Sequence, residues 1–181
     1  MNVITEIRDQ ITVETDRLTL RPIRQSDAGL ITMYAGDIRV SGPTRSIPNP
    51  LPPGATEAFI ETALSPGRVE DIWVLDGLSA GLAEVVGLIG LKRLDRKQSE
   101  IGYWLAPAFW KMGLAREAVK ALLAANPQNA NRIFAEVFQD NTQSAKVLIE
   151  NEFEYLGDAE SYCVARHRTI ETWTYSRCMK N

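Results

Sequence analysis

The stretch Glu100–Leu123, EIGYWLAPAFWKMGLAREAVKALL, changes its hydrophobic period halfway along. Ile101, Tyr103 and Leu105 occupy alternate positions, as the inward face of a strand does. After the Pro107 turn and Gly113, Leu114, Ala118 and Leu122 recur at spacings of four, which makes one apolar stripe of a helix. The junction is therefore strand, proline-containing turn, glycine, helix, with no acidic residue in the new helix before Glu117. A helix start carries unpaired N–H groups and the positive end of the helix dipole, which together suit an anion. Gly113 would let a ligand approach the backbone, and Lys111 and Arg116 could add charge. The bare alternative is that Gly113 only serves chain geometry. A Walker-type nucleotide loop is excluded because no GK[ST] follows, and a dinucleotide fingerprint because GxGxxG is absent.

Upstream, RLTLRPI (17–23) alternates as a half-buried strand, and Ser26 with Asp27 reads as the cap and first turn of a helix reaching about Ala35. Five prolines and three glycines between Gly36 and Thr56 predict a long loop without a regular element, and a loop of that length is commonly functional. Thr56 is expected to cap a second helix that buries Ala58, Phe59 and Ala63. Strands follow at IWVLDG, EVVGLIGLKRL and SEIGYWLA. Beyond the Gly113 helix, NPQNAN breaks the chain and RIFAEVF reads as a short buried strand. Asn141 caps a helix with Ala145, Leu148 and Ile149 inward, and FEYLG and RTIETWTYS close as two strands. The order β-α-α-β-β-β-α-β-α-β-β predicts an α+β, mixed three-layer fold.

The length of 181 residues suits one domain, taken as residues 1–181, and 45% hydrophobic content supports an ordinary core. Twenty basic and 23 acidic residues leave a net charge of -3, no footprint for nucleic acid. Cys163 and Cys178 form no CxxC and His167 is the single histidine, so a metal site is not expected and two reduced thiols in a cytoplasmic protein are. Glu6 and Asp9 interrupt the start of the chain, which reads against a signal peptide. The most apolar run, GLAEVVGLIGL, is too short for a bilayer and contains Glu84, so no membrane partner is expected.

Three segments together, TDRLTLRP, EIGYWLAPAFWKMGLAREAVKALL and NTQSAKVLIENEFEYLG, resemble in order and spacing the GNAT family of acetyl-CoA-dependent N-acetyltransferases. Within it the chain is similar to the branch that acetylates ribosomal-protein N-termini; the likeness runs over about residues 12–177. The resemblance implies a mostly antiparallel sheet splayed at a cofactor cleft. It also implies that acetyl-CoA is the cosubstrate, that Met112, Gly113, Leu114, Ala115 and Arg116 cradle its pyrophosphate with their amides, and that its pantetheine arm runs beside Tyr103, Trp104 and Leu105 and meets Asn141. The chain departs from the family pattern at Lys111, where a glycine is usual, at Leu148, where many members carry a tyrosine acid, and at Glu152, where the glycine of a G-F pair is usual. Asn151 is expected to take over the left-handed turn.

Acetyl transfer to an amine requires a neutral amine, a stabilised oxyanion and a departing thiolate. An α-amine, with a pKa of roughly 7.7–8.0, needs only a modest base. Glu100 is the base that the resemblance favours, against the reading of an exposed strand-start residue, and Glu84 is second. A backbone N–H near Trp104 or Leu105 would donate to the oxyanion. Ser144, three residues after Asn141 on the same helix face, is the candidate acid, or else a capping residue. His167 reads as a hairpin residue, and Trp173 and Tyr175 either face an acceptor site or pack the core. Arg39 and Arg45 either meet the acceptor or lie in solvent. The acceptor is a protein N-terminus or a small amine, with aminoglycosides or polyamines as the alternative, and the chain is a monomer or homodimer. Acetyl-CoA sensing without turnover, and a plain interaction domain, are the competing classes.

Overall fold

A computed structural model describes residues 10–179; Glu6 and Asp9 lie outside them. The described chain forms β1 (Val13–Glu14), β2 (Thr19–Pro22), α1 (Ala28–Ala35), α2 (Ile38–Ser41), α3 (Ala55–Leu64), β3 (Glu70–Asp76), β4 (Gly87–Leu94), β5 (Gln98–Leu105), α4 (Leu114–Ala125), β6 (Arg132–Phe138), α5 (Thr142–Glu150), β7 (Glu154–Cys163) and β8 (Arg168–Cys178). One sheet runs β1-β2-β3-β4-β5-β6-β8-β7. Every neighbouring pair is antiparallel except β5 and β6. The α+β reading holds, with the very short β1 and the single turn α2 added. No helix among the described residues is long and apolar enough to cross a membrane.

Strand alternation divides the apolar side chains between two layers. Leu20, Trp73, Leu75, Ile89, Leu91 and Ile101 pack with Leu114, Val119 and Leu122 of α4 and Leu148 of α5 on one face. Ile72, Val74 and Leu88 pack with Ile31 of α1 and Ile60 of α3 on the other. Trp173 and Tyr175 belong to the first layer, so core packing accounts for that aromatic stripe. Buried Arg21 holds this end of the sheet together: it donates to both oxygens of Asp27 (2.8 and 3.0 Å) and to Asp76 (2.8 Å).

Several local expectations are corrected. Asp27, not Ser26, ties the entry to α1, its carboxylate accepting from the Arg24 amide at 2.8 Å. The proline-rich segment does hold a regular turn, α2, because Asp37 caps it by accepting from the Arg39 amide. Helix α3 starts from left-handed Gly54, while Thr56 lies inside it and bonds to Thr32. Its buried residues are Thr56, Ile60 and Ala63, whereas Phe59 is 38% exposed. Ile149 is exposed.

The end of α5 shows how the chain manages without the expected glycine. The Phe153 amide donates to Leu148 O (3.1 Å) and the Glu152 amide to Ile149 O (3.0 Å), the paired bonds of a Schellman cap. Phe153 and Leu148 are both buried in one core. Glu152 itself takes φ 62°, while Asn151 stays at φ -100°, so the expected exchange of roles does not occur. A side chain in that conformation costs about 1 kcal/mol relative to glycine. The compensating ion pair to Arg177 (2.7 Å) is exposed on the Glu152 side and contributes little. Glu152→Gly is therefore expected to stabilise the fold by about 1 kcal/mol, read as a raised midpoint in urea unfolding.

Candidate active site

The parallel pairing of β5 with β6 covers only Gln98–Glu100 against Arg132–Phe134. Beyond Glu100 the two strands part, although β5 stays paired with β4 as far as Leu105. Peptide groups along a strand point alternately to its two sides. The Ala106 amide is turned toward β4, donating to Val86 O at 2.9 Å. The peptide groups of Tyr103 and Leu105 accordingly face the gap. The carbonyl of Leu105 is taken by the Trp110 indole N–H (2.8 Å), which fixes the turn after β5. Tyr103 keeps an open strand edge.

The gap leads into a cleft of about 580 Å³. Glu100, Asn141 and Ser144 all line it, as do Tyr103 and Trp104. Asn141 caps α5, its side-chain oxygen accepting from the Ser144 amide at 3.3 Å. The Ser144 hydroxyl does not cap; it donates to the Tyr103 phenol oxygen (2.9 Å), and the phenol donates back to Ser144 O (3.1 Å). Burial pushes the Tyr103 phenol above the ordinary tyrosine range, with the bond from Ser144 opposing it. Leu148, one turn further along α5, is fully buried. A tyrosine thus reaches this helix from β5, which a reading of α5 alone misses.

At the far end of β5, Gly113 is the left-handed N-cap of α4 (φ 76°) and Lys111 is also left-handed (φ 62°). Lysine holds a conformation usual for glycine, so the loop keeps its turn. Leu114 is buried, leaving its amide as the available group, and exposed Arg116 lies 3.7 Å from Glu150. The loop is braced from β2's approach: Arg17 donates to Met112 O (2.8 Å) and to Glu117 (2.8 Å), and Thr15 donates to the same carboxylate (2.7 Å). Burial pushes the Glu117 carboxyl up, but Thr15 and Arg17 outweigh it and hold it below the usual range. The RLTLRP segment therefore carries a bracket for this loop, which its strand pattern alone does not reveal.

On the α1/α3 face the cleft contains charges from separate strands. Glu100 is ion-paired with Arg45, whose second nitrogen reaches Glu136 at 2.9 Å. Arg45 is thus in the site, whereas Arg39 pairs locally with Asp37. Glu84 sits 3.7 Å from Arg21 instead of lining the cleft, and His167 is exposed in the β7–β8 turn. Glu70, which lies before the strand expected at IWVLDG and drew no notice in the sequence, also lines the cleft. Thr172 Oγ1, another lining residue, is the one buried side-chain polar atom without a partner among the described residues.

A sheet split at a parallel pair, with a glycine-started helix at the end of the open strand, has a shape that suits an extended ligand with an anionic end. The family model "Acetyltransferase (GNAT) domain" matches residues 17–154, and the chain belongs to that family of N-acetyltransferases, with acetyl-CoA as cosubstrate. It is 29% identical over 178 residues, covering 91% of this chain and 94% of the relative, to the uncharacterized N-acetyltransferase p20 of Bacillus licheniformis. The fold is shared with ribosomal-protein-S5-alanine acetyltransferase from Vibrio fischeri (TM-score 0.76, 22% identity, 95% and 98% of the two chains). It is also shared with spermidine N-acetyltransferase from Vibrio cholerae in complex with CoA and spermine (TM-score 0.76, 16% identity, 91% and 97%).

The raised Tyr103 value has a measurable consequence. A folded-state phenol pKa above the unfolded one favours folding below about pH 10, and that contribution is lost as pH climbs through the folded value. In ultraviolet titration the native protein and Tyr103→Phe should ionise the same number of phenols through the ordinary tyrosine range. The missing phenol should appear only when both are unfolded in denaturant.

Proposed function

We propose that the chain transfers the acetyl group of acetyl-CoA to a primary amine, most simply a peptide N-terminal α-amine or a small monoamine, by direct attack in a ternary complex. The observation that carries this reading is the open edge of β5 at Tyr103, which lies beyond the β6 pairing that ends at Glu100 and leads to the Gly113 helix start. An extended amide-containing arm can add to that edge as a strand would. Tyr103 would pair with it through its backbone, beside Trp104 and Leu105, and Asn141 would donate through the amide nitrogen that capping leaves free. The N–H groups from Met112 through Gly113, Leu114, Ala115 and Arg116 would receive the diphosphate, and Arg17 brings a braced cation to the same loop.

In this arrangement the thioester lies at the start of the split, near Glu100 and the Tyr103–Ser144 pair. Of the two amides that face the gap, that of Tyr103 lies nearer the start of the split and is the available donor to the oxyanion. Ser144 donates to the departing sulfur, and Tyr103 holds the serine hydroxyl in place through two hydrogen bonds. Glu100, bound by Arg45, shapes the amine side of the thioester.

Two substitutions test the assignment. Gly113→Val forces a β-branched residue to φ 76°, although a Cβ there would meet only Arg17 Nη2, at an ordinary 3.5 Å. The loop is expected to shift without a core clash. Acetyl-CoA affinity in calorimetry should fall by at least about tenfold, while the backbone strain, about 1–3 kcal/mol, lowers the thermal midpoint by several degrees without abolishing the fold; equal affinity would contradict the diphosphate site. Ser144→Ala should lower thiol release with a peptide amide acceptor by about tenfold or more and leave acetyl-CoA affinity near the original. Full turnover in that variant would remove Ser144 as the donor.

A further inference from the structure

Glu70 lies at the start of β3, and its carboxylate crosses onto the neighbouring strand. A Cβ placed on Gly90 of β4 would come within 2.6 Å of Glu70 Oε1 and 2.9 Å of Ile72 Cδ1. Gly90 thus supplies the seat in which the carboxylate rests. Its partner across the ladder is Gly102 of β5, where an added Cβ would meet nothing within 4 Å. The two glycines make a bare floor, open above Gly102, and Gly102 directly precedes the open edge at Tyr103. One interstrand spacing, about 4.8 Å, separates the glycine under the carboxylate from the strand that borders the split.

The three glutamates of the cleft are not equivalent. Glu100 and Glu136 share Arg45. Glu70 has no hydrogen bond or ion pair among the described residues. The charged groups around it are Asp71 on its own strand, Lys92 on β4, Glu100 on β5 and Arg45 in the proline-rich segment. Burial pushes its carboxyl above the usual range; Lys92 and Arg45 oppose this, and Glu100 and Asp71 reinforce it. The walls over the floor are apolar, with Ile31 from α1, Ile47 and Leu51 from the segment before α3, Phe59 from α3 and Trp104 from β5.

Resting on the acetyltransferase reading, we propose that Glu70 is the acceptor-binding carboxylate: it takes the single ammonium of an amine with an apolar body and accepts the proton that must leave before attack. The ammonium gives one proton to the Glu70 carboxylate. The freed lone pair forms the C–N bond to the acetyl carbon, the C–S bond breaks, and the second proton released from nitrogen passes to the thiolate by way of Ser144. The proton on Glu70 returns to solvent when product leaves. One uncompensated carboxylate matches one cation, so a monoamine is favoured over a polyamine.

The test measures binding as well as turnover. Phenethylamine, phenylalanine amide and spermine are titrated by calorimetry into the CoA-saturated protein, its Glu70→Gln variant and its Glu100→Gln variant, with the CoA affinity of each measured first. The expected result is binding of the two monoamines at least as tight as spermine and a loss of at least about tenfold in Glu70→Gln. Glu100→Gln should lose less, and CoA affinity should be equal in all three. The acidic limb of the pH–rate profile with the bound monoamine should also change in Glu70→Gln. Unchanged amine binding in Glu70→Gln, a larger loss in Glu100→Gln, clearly tighter binding of spermine, or no amine binding by the unaltered protein would each overturn the proposal. Loss of CoA binding by the unaltered protein would instead overturn the acetyltransferase assignment, so the two failures are separable.

Discussion

Three residues of parallel pairing between β5 and β6 are the constraint on which the site depends. Pairing that ran further would close the sheet and cover the peptide groups of Tyr103 and Leu105. No pairing would leave the two halves of the sheet without a common register. A short parallel join does both jobs, fixing the geometry and leaving an edge. An open edge inside a protein is costly unless something bonds to it, which is the physical reason to propose this edge as a binding surface. The Tyr103–Ser144 hydrogen bonds tie β5 to α5 across the gap, so the opening is held at a defined width.

The same split brings two kinds of chemistry together. On the α4/α5 side lie the helix start at Gly113, the Asn141 cap and the serine–tyrosine pair. On the α1/α3 side lie the glutamates, Arg45 and the apolar walls. An acyl donor and an amine entering from opposite faces would meet at the parting of the strands. The arginine bracket from Arg17 to Met112 and Glu117 braces the Gly113 loop. The α1/α3 side is walled by the proline-rich segment, which Arg166 fastens to the β7–β8 turn through Gly42 O at 2.7 Å.

Much of this was legible in the sequence because it is local. Strand alternation through Leu105, the stripe from Leu114 to Leu122, and the Asn141 cap each follow from neighbours within a few residues. The Gly113 junction was readable for the same reason. What sequence reading missed depends on distant partners. Glu70 and Glu136, which converge with the predicted Glu100 on the cleft, come from β3 and β6, so no acidic run announces them. Phe59 looked like a core residue by spacing, yet the cleft leaves it partly exposed. Glu152 and Lys111 sit in left-handed turns that composition argues against, Glu152 within the bonded cap of α5. Tyr103 was read only as a strand residue beside the arm, and its phenol bonds to the candidate acid on another element.

The most direct measurement is amide hydrogen exchange, residue by residue, with and without coenzyme A. The account predicts that the Tyr103 and Leu105 amides, together with those from Gly113 to Arg116, slow markedly on binding, because they gain partners that the folded chain alone does not supply. Protection confined to other parts of the chain, with these amides exchanging as before, would contradict the claim that the open edge of β5 and the Gly113 helix start form the donor site.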